Sequence, residues 1–312
     1  GSGVHFSSRL RPVLNMKPQN PTWAFNADTH ITAWLDAIEQ PFDVLTDEDL
    51  HLEGPAALAG YRTVITGTHP EYYSTSMRDA LGSWMRQGGR LMYMGGNGFY
   101  WRIAHHPDNP AIIEVRRAED GTRAWIAQPG EYYHQFTGEY GGLWRRLGRP
   151  PNELVGIGFA AQGFDGGTYY RVQSGALDSR VAFALEGVTD SDVLGDFGNQ
   201  GGGAAGEEID RWDESLGSPA HAVVIASSEN HRPGMLRVKE EFHMMAPPGN
   251  DPKVRADMVF FELPGGGAVF STGSISYAGA LAHNDYDNNI ATLTGNVLRR
   301  FLDPEPFEMP EE

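Results

Sequence analysis

Between Thr22 and Arg102 short apolar runs alternate with amphipathic ones, and that alternation leaves few architectures open. Ile31, Trp34, Leu35 and Ile38 recur at the i, i+3, i+4, i+7 spacing of a helix face, with Asp28 or Thr29 as its cap. Residues 43–45 read as a short strand, 61–66 as a second and 90–94 as a third. Between the last two, Ser74 or Thr75 opens a helix carrying Met77, Leu81, Trp84 and Met85, which stops at Gly88-Gly89. Strands alternating with helices demand right-handed crossovers, and so a parallel sheet. The expectation is an α/β fold, doubly wound and mainly parallel. In such sheets ligands bind beyond the carboxyl ends of the strands. Two segments fall there: the polar loop 67–73 and the turn Gly95-Gly96-Asn97-Gly98.

Beyond Arg102 the pattern changes. Residues 111–117 and 123–127 flank Glu119-Asp120-Gly121-Thr122 as a β-hairpin. The stretch 129–220 is rich in Gly and aromatics and too long for plain loop, so it is expected to be an insertion covering the site. The sheet resumes at 221–226, and 258–263 pairs with 268–272 through Pro264-Gly265-Gly266-Gly267. A closing helix over 288–302 carries Ile290, Leu293, Val297, Leu298 and Phe301 on one face. The whole is read as one domain of residues 1–312, with 1–20 an extended lead-in.

Charge and cysteine content remove several classes of function. Lys plus Arg number 24 against 41 Asp plus Glu, a net charge of −17. Nucleic acid and anionic membrane both need a basic surface, so neither is an expected partner. With no cysteine, disulfides, zinc–thiolate sites, iron–sulfur clusters and a thiol nucleophile are excluded. Any metal must be held by His, Asp, Glu, Tyr, Asn or water. No apolar run approaches the ~20 residues of a spanning helix, and the first residues lack the blocks of a signal peptide. The expected location is cytoplasmic. No Gly-x-Ser-x-Gly is present, which disfavours a Ser-His-Asp hydrolase.

Three segments carry candidate chemistry. The turn around Asn97 follows a strand with the outline of a nucleophile elbow, as in the class I glutamine-amidotransferase fold that it resembles. Asn97 cannot attack, but its carboxamide could donate to a substrate carbonyl or oxyanion; equally, a tight turn may simply need Gly and Asn for positive φ. His69 and Glu71, two apart around Pro70, can face one cavity, either ligating a metal while the other acts as base or supporting partner. Residues 201–210 place Glu207, Glu208 and Asp210 directly after small residues. That reads as a carboxylate delivered into a crowded site, or as a helix start whose acids favour the dipole. No Lys follows, which argues against a phosphate loop. His105, His106, His243 and His283 are weaker candidates, and Tyr132, Tyr133, His134 and the stretch 159–170 would line or lid the pocket.

Taken together, Thr68-His69-Pro70-Glu71-Tyr72, the run 90–101, Gly130-Glu131-Tyr132-Tyr133, the run 141–146 and the run 203–210 resemble the C-terminal domain of the N,N-dimethylformamidase large (β) subunit. The resemblance spans nearly the whole chain. It implies an amidohydrolase that converts N,N-dimethylformamide, or a similar small amide, to formate and dimethylamine. It also implies a mononuclear ferric iron held by two tyrosinates and one glutamate. Glu71 matches the iron-binding glutamate; His69, Asn97 and Glu207, with Glu208 one residue along, match neighbouring active-site positions. The two tyrosine ligands lie upstream of this chain, so Tyr72, Tyr73, Tyr93 and Tyr100 are not put in their place. The implied partners are the upstream part of the large subunit, a small (α) subunit and further copies of that heterodimer; this fragment alone is expected to be inactive. The alternative is a non-catalytic amidotransferase-like domain that binds a ligand or scaffolds partners.

Overall fold

The computed structural model describes residues 5–12, 24–117, 120, 128–188, 192–241 and 251–311. In chain order, β1 (Phe6–Ser8), α1 (Phe25–Ala37) and α2 (Asp47–Glu53) precede β2 (Thr63–Ile65), β3 (Tyr72–Tyr73), α3 (Thr75–Arg86) and β4 (Arg90–Tyr93). Next come β5 (Trp101–His106), β6 (Asn109–Val115), α4 (Pro151–Val155), β7 (Gly158–Thr168), β8 (Tyr170–Val172) and β9 (Val193–Leu194). The chain then forms β10 (Ala205–Arg211), β11 (Val223–Ser228), β12 (Leu236–Arg237), β13 (Asp257–Leu263), β14 (Gly267–Ser271) and α5 (Asn289–Leu302). Residues 129–220 thus hold α4 and four strands. No helix among the described residues is long and apolar enough to cross a membrane.

These strands build three sheets. A seven-stranded sheet runs β2-β4-β14-β13-β11-β8-β9, a four-stranded one β1-β6-β5-β3 and a three-stranded one β10-β7-β12. The expected doubly wound, mainly parallel sheet is not what forms. In the large sheet only β2–β4 and β4–β14 pair in parallel; its other four pairings are antiparallel. The reason lies in the connections. Parallel neighbours need a crossover, and α3 between β2 and β4 supplies one. Past β4 the chain returns largely through hairpins, such as β5–β6 and β13–β14, which are antiparallel by construction.

Side chains alternate across the large sheet as the two-residue period requires. Leu91 and Tyr93 of β4 point to a core shared with Met77, Leu81, Trp84 and Met85 of α3. Met92 points to the other core, with Phe260, Phe270, Tyr277 and the α5 residues Ile290, Leu293, Val297 and Phe301. Ser74 caps α3, its Oγ accepting the Met77 N–H at 3.3 Å, and Asn288 caps α5 through the Ala291 N–H at 2.9 Å.

Other expectations shift. Helix α1 starts at Phe25, so neither Asp28 nor Thr29 is its cap. Residues 43–45 form no strand and lie exposed, with Asp43 accepting the Tyr61 hydroxyl at 2.8 Å. The segment 201–210 is no helix start, because β10 occupies it. The partner expected for 111–117, residues 123–127, lies outside the described residues, as do Thr22 and His243; β6 pairs with β5 and β1 instead.

Phe270 is fully buried on β14, an inner strand of the large sheet. Phe270→Ala should cost about 3–5 kcal/mol, read as a lower urea midpoint with an unchanged slope; a loss under about 1 kcal/mol would contradict this placement of the core.

Candidate functional site

Three segments meet at the carboxyl ends of β2 and β4. The loop 66–71 follows β2, the turn 94–99 follows β4, and β10 crosses beside both. Backbone contacts lock them together. The Gly96 N–H donates to the Thr68 carbonyl at 3.2 Å, Phe99 N–H to Pro70 at 2.8 Å, and Trp101 N–H to Glu71 at 2.9 Å. Asp28, free of any capping duty, reaches from α1 to accept the Thr68 N–H at 2.7 Å and its hydroxyl at 2.9 Å. Thus a residue one would assign to a helix terminus instead fixes the loop that carries His69.

Four side chains converge there. His69 Nε2 lies 2.9 Å from Glu208 Oε2 and 3.5 Å from Glu71 Oε2. Asn97 Nδ2 donates to the same Glu208 oxygen at 2.8 Å. The three ionisable side chains are only 10–15% exposed, so charges act there with little water to screen them. The Glu71 carboxylate is held on its other side by Trp101, whose Nε1–H donates to Oε1 at 3.0 Å. Arg117 lies over the Trp101 ring, 4.7 Å from its centroid, and donates to the Tyr72 hydroxyl. Tyr100 meets Trp101 and Phe159 edge-on at 5.0 and 5.2 Å, completing an aromatic wall behind Glu71.

The acids of β10 make different contacts, although the charge of Glu207 also reaches His69. Glu208 and Asp210 project to one side of β10; the Glu207 carboxylate instead takes a hydrogen bond from Gln200 Nε2 at 2.6 Å. Asp210 is completely buried. It accepts the Asn97 N–H at 2.6 Å and the Tyr93 hydroxyl at 2.8 Å, and Tyr93 in turn accepts the Gly98 N–H at 2.6 Å.

Burial and neighbouring charge set the protonation behaviour. Burial opposes the charged form of His69, but contact with Glu208 and the charges of Glu71, Glu208 and Asp210 outweigh it and raise its pKa. Burial raises Glu71, with His69 and Arg117 pulling the other way. Burial also raises Glu207. Asp210 is pushed up to about 7 by burial, against the two hydrogen bonds it accepts.

The tyrosines of this region have other duties. Tyr72 is bound by Arg117, Tyr93 donates to Asp210 and Tyr100 donates to Glu240 at 3.1 Å. Burial raises the pKa of all three, so they stay phenols. Tyr73 is buried against Phe99. The weaker histidines have different neighbours again: His105 stacks on His51 at 4.1 Å, His283 on Phe197 at 4.0 Å, and His106 meets Phe136. Tyr133 packs edge-on against Tyr140. A cavity of about 540 Å³ bounded by Asp178, Arg180, His221 and Asp257 contains none of the converging residues. Among the described residues, no group of three or more His, Asp or Glu is arranged to hold a metal ion.

Sequence reasoning gave Asp28 a capping role, named Tyr93 only as a tyrosine that is not an iron ligand, passed over Trp101 and Gln200, and offered Asp210 only as one of three acids after the small residues. Reading 205–211 as a strand would have put Asp210 on the same face as Glu208; nothing local marks the other four.

Residues 1–288 match the family described as N,N-dimethylformamidase beta subunit-like, C-terminal. Two curated relatives named N,N-dimethylformamidase beta subunit, from Alcaligenes sp and Paracoccus aminophilus, are each 38% identical over 98% of this chain. The chain spans 41% of the length of each. A solved structure titled mmIFT52 N-terminal domain aligns over 89% of this chain and 92% of its own, at 12% identity and a TM-score of 0.37, too distant to define the fold.

The raised Asp210 pKa has a thermodynamic consequence. Its folded value near 7 exceeds the unfolded value of 3.8, so the folded state holds the extra proton between them. That contribution is complete below pH 3.8 and lost as pH rises through about 7. Relative to Asp210→Asn, the wild type should therefore gain stability as pH falls from 7 to 4 in denaturant titrations; parallel curves for the two proteins would refute it.

Proposed function

The chain belongs to the N,N-dimethylformamidase beta subunit-like C-terminal family, and from that premise we propose that it carries the substrate-orienting and proton-transfer groups of an amidohydrolase. The substrate would be N,N-dimethylformamide or a similar small amide, and the products formate and dimethylamine. The observation that supports this most is the meeting of His69, Asn97 and Glu208 on a single carboxylate oxygen beside Glu71.

A mononuclear ferric ion suits the Glu71 carboxylate, a hard oxygen donor matched to a hard trivalent ion, although Trp101 already donates to Oε1 and His69 lies 3.5 Å from Oε2. The region otherwise concentrates Glu71, Glu208 and Asp210 around one histidine, a negative excess that a cation would offset. The chain supplies this single donor; the tyrosinates would come from the upstream part of the large subunit, with the small (α) subunit and further heterodimers completing the assembly. When bound, such an ion supplies Lewis acidity toward an amide carbonyl that side chains alone polarise poorly.

The chain's own residues would then act as follows. Asn97 gives one Nδ2 hydrogen to Glu208 and keeps the second for the substrate oxygen, orienting the carbonyl. Glu208 takes a proton from the attacking water. His69, whose raised pKa keeps it protonated longer than a free imidazole, passes a proton to the nitrogen as the C–N bond breaks. One water is consumed: its oxygen and one hydrogen complete formic acid, which ionises to formate, and the other hydrogen balances the amine, the proton taken by Glu208 replacing the one His69 gave up across their 2.9 Å contact. The wall of Tyr100, Trp101 and Phe159 excludes water and faces the N-methyl groups with apolar surface.

In the complete enzyme, Glu71→Ala should abolish bound iron by metal analysis. Glu208→Gln should lower kcat for dimethylamine release by roughly 10²–10⁴-fold, while Glu207→Gln stays within about tenfold. A deeper loss at Glu207 would move the proton acceptor to that carboxylate, whose charge also reaches His69.

A further inference from the structure

We infer that Asp210 and Tyr93 are positioning residues that aim the Asn97 carboxamide, an assignment that rests on the reading above of Asn97 as the substrate-orienting group. The turn has no regular structure to hold it, and Asn97 itself sits at φ +50°. A non-glycine residue in the left-handed region persists only where surrounding contacts over-determine it. Those contacts come from two fully buried side chains. Asp210 uses both oxygens, one on the Asn97 N–H and one on the Tyr93 hydroxyl. Tyr93 closes the loop by accepting from Gly98, one residue past Asn97. The backbone on both sides of the Asn97 side chain is therefore tied to a single carboxylate.

That carboxylate belongs to β10, the strand that also presents Glu208 two residues earlier. Asn97 thus contacts β10 twice: its backbone through Asp210 and its side chain through Glu208. Moving the Asp210 contact moves the carboxamide relative to Glu208 and His69 together. Misplacement of about 1 Å in an orienting group can cost on the order of 100-fold in rate.

The test is a double-mutant cycle in the complete enzyme, with Tyr93→Phe as the main variant and Asp210→Asn as the second. Tyr93→Phe keeps the ring and its edge contact with Phe99 but removes the hydroxyl. It should lower kcat/KM by about 10–100-fold in the wild-type background and have no further effect on kcat/KM in Asn97→Ala, while costing the same stability in both. Equal kinetic losses in the two backgrounds, or an undiminished kcat/KM in Tyr93→Phe, would reduce the pair to a structural role. Placement is read separately from activity in a crystal structure of Tyr93→Phe. A carboxamide displaced from Glu208 upholds the inference, even if the wild type hydrolyses no amide and the parent reading falls. The 2.8 Å contact unchanged overturns it whatever the kinetics.

Discussion

Two glycines let this site exist. A Cβ on Gly95 would stand 2.1 Å from the Thr68 carbonyl oxygen, and one on Gly96 would stand 2.2 Å from the Glu208 carbonyl oxygen. Both obstacles are backbone, which cannot rotate aside. The His69–Glu71 loop and the Glu208 strand therefore reach the Asn97 turn only because both positions lack side chains. The closeness has a cost: Asn97, Phe99 and Glu207 all adopt positive φ, at +50°, +54° and +63°. Strain of that kind is of order 1–3 kcal/mol per residue. Here it is offset by buried hydrogen bonds and by the packing of Phe99 against Tyr73 and Tyr93.

The same crowding controls the electrostatics. Glu71 and Asp210 lie within one poorly hydrated region, where burial raises the pKa of both carboxyls unless something positive compensates. His69 provides part of that compensation and is itself made more basic by it. Arg117 acts on Glu71 from the other flank. A histidine that holds its proton more readily is the donor that the proposed amide cleavage uses, since the nitrogen must be protonated as it leaves.

Much of the framework was legible where local periodicity carries it. Helices α3, opened by Ser74, and α5 follow from amphipathic spacing, and the β13–β14 hairpin follows from its Gly-rich turn. The positions of the 67–73 loop and the 95–98 turn followed from strand ends. What stayed hidden was pairing at a distance. Nothing in residues 267–271 says that they lie beside 90–93, yet that contact ends the parallel part of the sheet and begins the antiparallel part. The site shows the same boundary. The acidic character of 207–210 was plain, but choosing Glu208 over Glu207 needs the strand register, which carries a shift between Ala205 and Glu207. Trp101 and Tyr93 look like ordinary core aromatics, because the polar atom that matters on each is a small part of a large apolar side chain.

The account is tested most directly by anomalous diffraction at the iron absorption edge, using crystals of the complete protein grown with ferric iron. One peak is expected within bonding distance of the Glu71 carboxylate. A peak remote from Glu71, in protein that still releases dimethylamine, would contradict it.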